Sequence, residues 1–166
     1  LSASAWIAFS GDSLAKGQTI KQFEVYSIAE SLARHPLGIL STTIPCDGGI
    51  RWTLEPPVFH EWGALGIRIW PGYPALIPIL SAILLVVAVY RLLSHSGLDE
   101  PKRSIVAFVV SLAPSFARFG IQFLPDPFAA AILIFGIDAL LRKRRPLALS
   151  LFGLAVLTKA DRKSVV

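Results

Sequence analysis

A short string near the start of the sequence contains a possible nucleophile. Residues 11–14 read Gly-Asp-Ser-Leu, which offers a serine that a hydrolase could use. A serine nucleophile needs a histidine base that is oriented by a carboxylate, often from a later Asp-x-x-His. No aspartate of this chain has a histidine three residues further on. We therefore interpret the string as a turn that follows a helix.

The sequence lacks the residues that a metal site or a nucleotide site would need. His60 and Glu61 begin a string typical of zinc proteases, but position 64 is alanine, so the second zinc ligand is absent. The single cysteine excludes a four-cysteine zinc site. No glycine-rich loop with a lysine is present to hold a phosphate. The sequence therefore predicts neither a metal site nor a cofactor.

Charged residues beside apolar runs are more informative, because each costs roughly 2.5 to 3.5 kcal/mol at the centre of a bilayer. Arg118 and Asp126 flank the turn between two such runs. Anchoring at the membrane interface and a role in a cavity both account for them. Asp138 precedes Arg142 by four residues, which predicts an ion pair on one helix face, and we assign Asp138 no catalytic role.

The elements that would position these residues are apolar. The 166 residues are 54% hydrophobic and only 16% charged, which disfavours a soluble or disordered chain. Residues 1–72 carry six acids and five bases, whereas residues 73–166 carry five acids and eleven bases. These bases form short clusters between apolar runs and are not spread along one face. The pattern predicts a lipid bilayer, and no nucleic acid, as a partner.

Four apolar runs in the second half predict membrane-spanning helices, since about 20 apolar residues cross the hydrocarbon core. Buried helices of a large soluble protein are the alternative, which the number of runs and the length of the first one disfavour. We therefore expect an all-α integral membrane protein that forms a multi-spanning helical bundle. The runs cover residues 73–93, 104–124 with Arg118 inside, 128–141, and 146–158.

The basic clusters predict which parts of the chain face the cytoplasm. Connections 91–103 and 142–145 hold most of the bases of the second half, and the positive-inside rule places both in the cytoplasm. Residues 11–71 then face outward. The expected divisions are the end of a first transmembrane helix (1–10), an external catalytic loop (11–71), transmembrane helices (72–160), and a truncated or atypical tail (161–166). We expect a fragment that is inactive alone.

The external loop contains two predicted amphipathic helices, Lys21–Arg34 and Val58–Trp70. In the first, Glu24, Ser27 and Ser31 are expected on the polar face. Apolar residues at helical spacing form one stripe in each helix, and we expect both helices to lie along the membrane surface. The stripes are Val25, Ile28, Ala29 and Leu32 in the first helix, and Val58, Trp62, Leu65 and Ile69 in the second.

Several strings together resemble the multi-spanning GT-C glycosyltransferases of the dolichyl-phosphate-mannose protein mannosyltransferase type, including bacterial relatives that use undecaprenyl-phosphate sugars. Their order and spacing match over about residues 18 to 160. The strings are Lys21-Gln22-Phe23-Glu24 with Ile28-Ala29, Asp47-Gly48-Gly49, Glu55-Pro56-Pro57-Val58-Phe59, Ala113-Pro114-Ser115-Phe116, Pro125-Asp126-Pro127, and Leu154-Ala155-Val156-Leu157-Thr158-Lys159.

The resemblance implies a transferase that moves a hexose-type sugar from a polyprenyl-phosphate donor to an acceptor, with inversion, at the outer face of the bacterial plasma membrane. Glu24 stands where the family usually carries an aspartate as general base, and is the expected catalytic residue. Glu55 is assigned to sugar or acceptor binding. Arg118, about one turn before the family's usual arginine position, is assigned to the donor phosphate, and Asp126 to the cavity wall.

A membrane protein that binds or transports polyprenyl phosphate without reacting is the alternative function. Transporters often contain inverted repeats, and this length shows no such duplication. An inactive remnant of an enzyme is a third reading. The sequence leaves the sugar and the acceptor open.

Overall fold

The computed structural model describes residues 16–34, 58–71, 73, 76–113 and 124–159, and these residues are helical with short connections and no strand. The helices are α1 (Lys16–Arg34), α2 (Val58–Ile69), α3 (Leu76–Leu92), a 3-10 turn (Leu93–His95), α4 (Glu100–Ser111), α5 (Pro125–Leu141) and α6 (Arg145–Lys159).

Prolines and an aspartate explain where two of the helices begin. Pro101 occupies the first turn of α4, and Pro125 begins α5; a proline suits the first turn because its missing N–H would have no partner within the helix. Asp126 lies in the first turn of α5, where a negative charge is favourable beside the positive end of the helix. The described residues form an all-α structure, and five predicted segments are present with shifted ends, as α1, α2, α3, α5 and α6. Of the predicted run 104–124, residues 104–111 lie in α4, and residues 114–123 lie outside the described part.

The chain divides into two compact units, and along α3 the division falls between Ile77 and Pro78. The described part of the first unit contains α1, α2 and the first residues of α3. The second contains the rest of α3 with α4, α5 and α6, of which α5 and α6 form a packed helical hairpin.

The expectation of a multi-spanning bundle is wrong. Among the described residues, one helical segment, Leu76–His95, is long and apolar enough to cross a membrane. At about 1.5 Å per residue, the 12 residues of α4 fall far short of a hydrocarbon core roughly 30 Å thick. The 17 residues of α5 contain two carboxylates, and α6 is a shorter apolar helix. The predicted run 104–124 extends beyond the end of α4 at Ser111.

The first unit is held together by α1 packing on α2. The apolar stripe of α1 was expected to lie on a membrane surface, but three of its residues, Val25, Ala29 and Leu32, are buried within the protein. Ser27, expected on the polar face, is buried as well.

The face of α2 that packs inward is not its predicted apolar stripe, which was expected to lie on a membrane surface. Leu65 and Ile69 are exposed, whereas the buried positions are Phe59, His60, Gly63, Ala64 and Gly66. Glycine and alanine allow helices to approach closely, which accounts for the inward packing of the face that holds Gly63, Ala64 and Gly66. At Gly66, an added Cβ would lie 2.5 Å from Ile77 Cγ1 of α3.

Candidate functional site

The most buried charge in the described residues is Asp138, in the last turn of α5. Its side chain is 3% exposed, and its Oδ1 lies 2.9 Å from Arg142 Nε. The two residues are four apart, so the helix itself places them on one face. This ion pair was predicted from the sequence and is confirmed.

Two further partners reach Asp138 from the end of α3. Arg91 Nη2 lies 3.2 Å from Asp138 Oδ2, and His95 Nε2 lies 2.9 Å from Asp138 Oδ1. Arg91 belongs to the last turn of α3, and the 3-10 turn carries the chain on to His95. In the sequence, the spacing of four residues between Arg91 and His95 indicates that both side chains lie on one side of a helical segment. In the structure, that side faces the Asp138 carboxylate.

Two more contacts fix the arginines. The Arg91 guanidinium lies 5.8 Å from the centroid of the Phe135 ring, one turn before Asp138 on α5. Arg142 Nη2 donates a hydrogen bond of 3.3 Å to the hydroxyl of Ser94. The end of α3 and the end of α5 are therefore joined by charged, polar and aromatic contacts around a single carboxylate.

The environment of Asp138 keeps its carboxyl group ionised. Burial alone would raise its pKa, but hydrogen bonds from Arg142 and His95 and the charges of Arg142 and Arg91 outweigh burial, so the pKa lies below the ordinary value. A carboxylate that is held anionic by cations is a weak proton acceptor. The arrangement therefore suits a structural clamp between helices better than acid–base chemistry.

The connection after Asp138 is a tight reversal that exposes four consecutive basic residues. Lys143 has a φ of 60°, the N–H of Lys143 bonds to Leu140 O at 2.9 Å, and the N–H of Arg144 bonds to Ala139 O at 2.9 Å. This is the Schellman arrangement, in which glycine usually occupies the left-handed position. Lysine holds that position here, so the helix ends without interrupting the run of bases.

A second polar arrangement fixes α1 in the first unit. Arg68 of α2 donates hydrogen bonds to Leu32 O at 2.6 Å and to Ala33 O at 3.2 Å. Carbonyls in the last turn of a helix lack partners within the helix, so this arginine caps α1 from another element. Arg34, one residue later, pairs with Glu30 at 2.7 Å on the exposed surface.

The four site residues expected from the sequence are placed unequally. Glu24 lies in α1, in the part of that helix whose backbone alone is described. Asp126 is half-buried in the first turn of α5. Glu55 and Arg118 lie outside the described residues. Glu24 and Asp126 belong to different compact units.

Within the described ranges, no group of three or more His, Cys, Asp and Glu side chains is arranged to hold a metal ion. No family model, curated protein or solved structure matches the chain. Evidence for function therefore comes from the chain's own residues.

Proposed function

We propose that the protein is a membrane-anchored glycosyltransferase that takes a hexose-type sugar from a polyprenyl-phosphate donor, with Glu24 as general base. One observation supports this proposal above others. The helix that carries Glu24 packs on α2, and α2 contacts Ile77 at the start of the one described helix able to cross a membrane. The chain thus leads from the helix pair that carries Glu24 into a helix able to cross a membrane, which is consistent with a lipid-linked donor.

The proposed reaction is a single displacement at the anomeric carbon. The acceptor hydroxyl forms the new C–O bond as the bond from the anomeric carbon to the donor phosphate oxygen breaks, with inversion. Glu24 takes the hydroxyl proton, and the polyprenyl phosphate leaves with the bonding electron pair. Arg118 balances the growing negative charge on the phosphate, while Glu55 and Asp126 bind the substrates.

The distribution of bases supports an orientation. Arg91 and residues 142–145 meet at one end of the second unit, through Asp138. Basic residues favour the cytoplasmic side, so we place the end of α3 there and its start at the outer face. Under this proposal the active site lies at the outer face of a plasma membrane, and the resemblance to enzymes using undecaprenyl-phosphate sugars favours a bacterial one.

The test is transfer of radiolabelled sugar from polyprenyl-phosphate donors by membranes that contain the full-length protein. Glu24→Gln removes the proton acceptor with little change in shape, and we expect at least a 100-fold loss of transfer, at the lower end of general-base contributions of roughly 10² to 10⁴. Glu30→Gln is the matched control, because Glu30 lies on the same helix in an exposed pair with Arg34.

Each outcome is informative. Loss in Glu24→Gln with retention in Glu30→Gln supports the proposal. Equal activity of wild type and Glu24→Gln removes the general-base assignment. Donor binding without transfer by the wild type, over protein, lipid and polysaccharide acceptors, supports the alternative of a non-catalytic polyprenyl-phosphate-binding or transport protein.

A further inference from the structure

We propose that the basic end of the second unit, defined as Arg91, Arg142, Lys143, Arg144 and Arg145, binds the phosphate headgroups of anionic phospholipids. The proposal is independent of sugar transfer. It is carried by the charge balance, the backbone and the apolar border of this surface.

The charge balance leaves the basic end strongly positive. The basic end holds five cations, two of which pair with one carboxylate, Asp138, so four positive charges are in excess. Arg91 is 47% and Arg142 38% exposed in their side chains, although both contact the buried carboxylate. Each guanidinium has five N–H donors in a planar fork that matches phosphate oxygens. Asp138 thus orients two arginines without using their full donor capacity.

The acids that follow α3 have partners of their own. Asp99 is paired with Lys102 at 2.9 Å, and Glu100 accepts a hydrogen bond of 3.4 Å from the hydroxyl of Tyr90. The first turn of α6 holds no acid, and Arg145 begins that helix, so its charge has the same sign as the helix end. An external anion is therefore the natural counter-charge for this surface.

The backbone keeps a base where glycine would fit better. Lys143 adopts a left-handed φ of 60° in the turn that ends α5. Strained backbone that persists in a fold is a reason to look for a function. Here lysine, rather than glycine, occupies the strained position, and residues 142–145 are therefore all basic.

The exposed apolar residues beside the basic end favour a lipid surface as its binding partner. Exposed leucines lie on both sides of the basic run: Leu140 and Leu141 before it, and Leu147 and Leu149 after it. Basic residues with apolar neighbours suit the boundary between headgroups and acyl chains, where bases contact phosphate and leucines contact lipid. The run is also joined through Asp138 to the last turn of the membrane-crossing helix. A free phosphate would use the bases but not the leucines.

The experiment is a titration of the full chain in a neutral detergent, with bound lipid counted by mass spectrometry of the intact protein. Phosphatidylglycerol is the anionic probe, phosphatidylcholine the neutral one, and glycerol phosphate the headgroup without acyl chains. The test variant is Lys143→Gln with Arg144→Gln. The control is Arg34→Gln, which removes one charge from an exposed position in the first unit, and its matched single variant in the basic end is Arg144→Gln.

We expect the wild type and the control to prefer phosphatidylglycerol over phosphatidylcholine. Near a membrane surface each base contributes about 1 kcal/mol to binding an anionic lipid, so losing two should weaken phosphatidylglycerol binding by about 30-fold. Added salt should reduce the preference. Should the test variant lose its helical circular dichroism, Arg145→Gln alone replaces it, with an expected loss of about fivefold.

Three results would overturn the proposal: equal binding of the two lipids by the wild type, equal weakening in Arg144→Gln and the control, or glycerol phosphate binding as tightly as phosphatidylglycerol. The last result would assign the basic end to a soluble phosphate compound.

Discussion

Arg91 Nη2 lies 3.2 Å from Oδ2 of Asp138, which joins the last turn of α3 to the last turn of α5. The aspartate is buried, whereas the arginine is half-exposed. A buried carboxylate without partners is strongly unfavourable, so the contact ties the position of α5 to that of α3. The stability of the second unit should therefore depend on this one side chain.

Replacing Asp138 with asparagine should destabilise the protein by about 1–3 kcal/mol, because the two arginines and His95 lose their shared carboxylate. The value stays below that for a fully buried ion pair, because water can solvate the half-exposed arginines. Unfolding in a neutral detergent, followed by circular dichroism, measures the change. Asp99→Asn is the control: its pair with Lys102 is exposed, so its loss should stay within about 0.5 kcal/mol. Equal effects of the two substitutions would contradict a special role for Asp138.

The stability difference between wild type and Asp138→Asn should depend on pH. The folded state lowers the pKa of Asp138 from its ordinary value of 3.8, so the folded state releases this proton more readily than the unfolded chain. The stabilisation is complete above roughly pH 5 and is lost as pH falls through the folded-state pKa. Melting temperatures of both proteins between neutral and acid pH should converge at the acid end. A difference that grows on acidification would have the wrong sign.

Gly136 permits the close packing of α5 on α6. A Cβ at this position would lie 2.6 Å from Cε1 of Phe152, and the ring would have to move. We expect Gly136→Ala to destabilise by about 1–3 kcal/mol, as overpacked cores do. Gly153→Ala, on α6, has nothing within 4 Å of the added carbon and should stabilise by roughly 0.5–1 kcal/mol through better helix propensity. Denaturant titration distinguishes the two, and effects of the same sign would argue against this packing.

Arg68 should stabilise the first unit through the carbonyls that it caps. Arg68→Met keeps much of the apolar stem but removes the hydrogen bonds to Leu32 O and Ala33 O. We expect a loss of about 1 kcal/mol, because the site is only partly shielded from water. Hydrogen exchange of the last turn of α1 should rise in the same variant. Arg34→Gln, which removes only an exposed ion pair, should leave that exchange nearly unchanged.

Lys143→Gly should separate stability from lipid binding. Glycine adopts the left-handed backbone conformation without strain, so the free energy of unfolding should rise by about 1 kcal/mol. The melting temperature should rise with it. The same change removes one positive charge and should weaken phosphatidylglycerol binding. Lys143→Ala is the control, because alanine retains the strain and should bring no such stability gain. A less stable Lys143→Gly protein would contradict the role of this turn.

The sequence alone determined the helical class, the approximate positions of most helices and the Asp138–Arg142 pair. These features are local, because hydrophobic periodicity and a spacing of four residues act within one helix. The longest apolar run also identified the helix that could cross a membrane. The assignments of Glu24, Glu55, Arg118 and Asp126 stay predictions.

Tertiary structure decided the contacts between residues that lie far apart in the chain. It brought Arg91 and His95 to Asp138, and it turned the small-residue face of α2 inward although larger apolar residues marked another face. It also set the helix lengths, so that in the described residues one helix, not four, is long and apolar enough to cross a membrane. Such outcomes depend on how surfaces fit and on which buried charges find partners, and neither is encoded in the spacing of residues within a single segment.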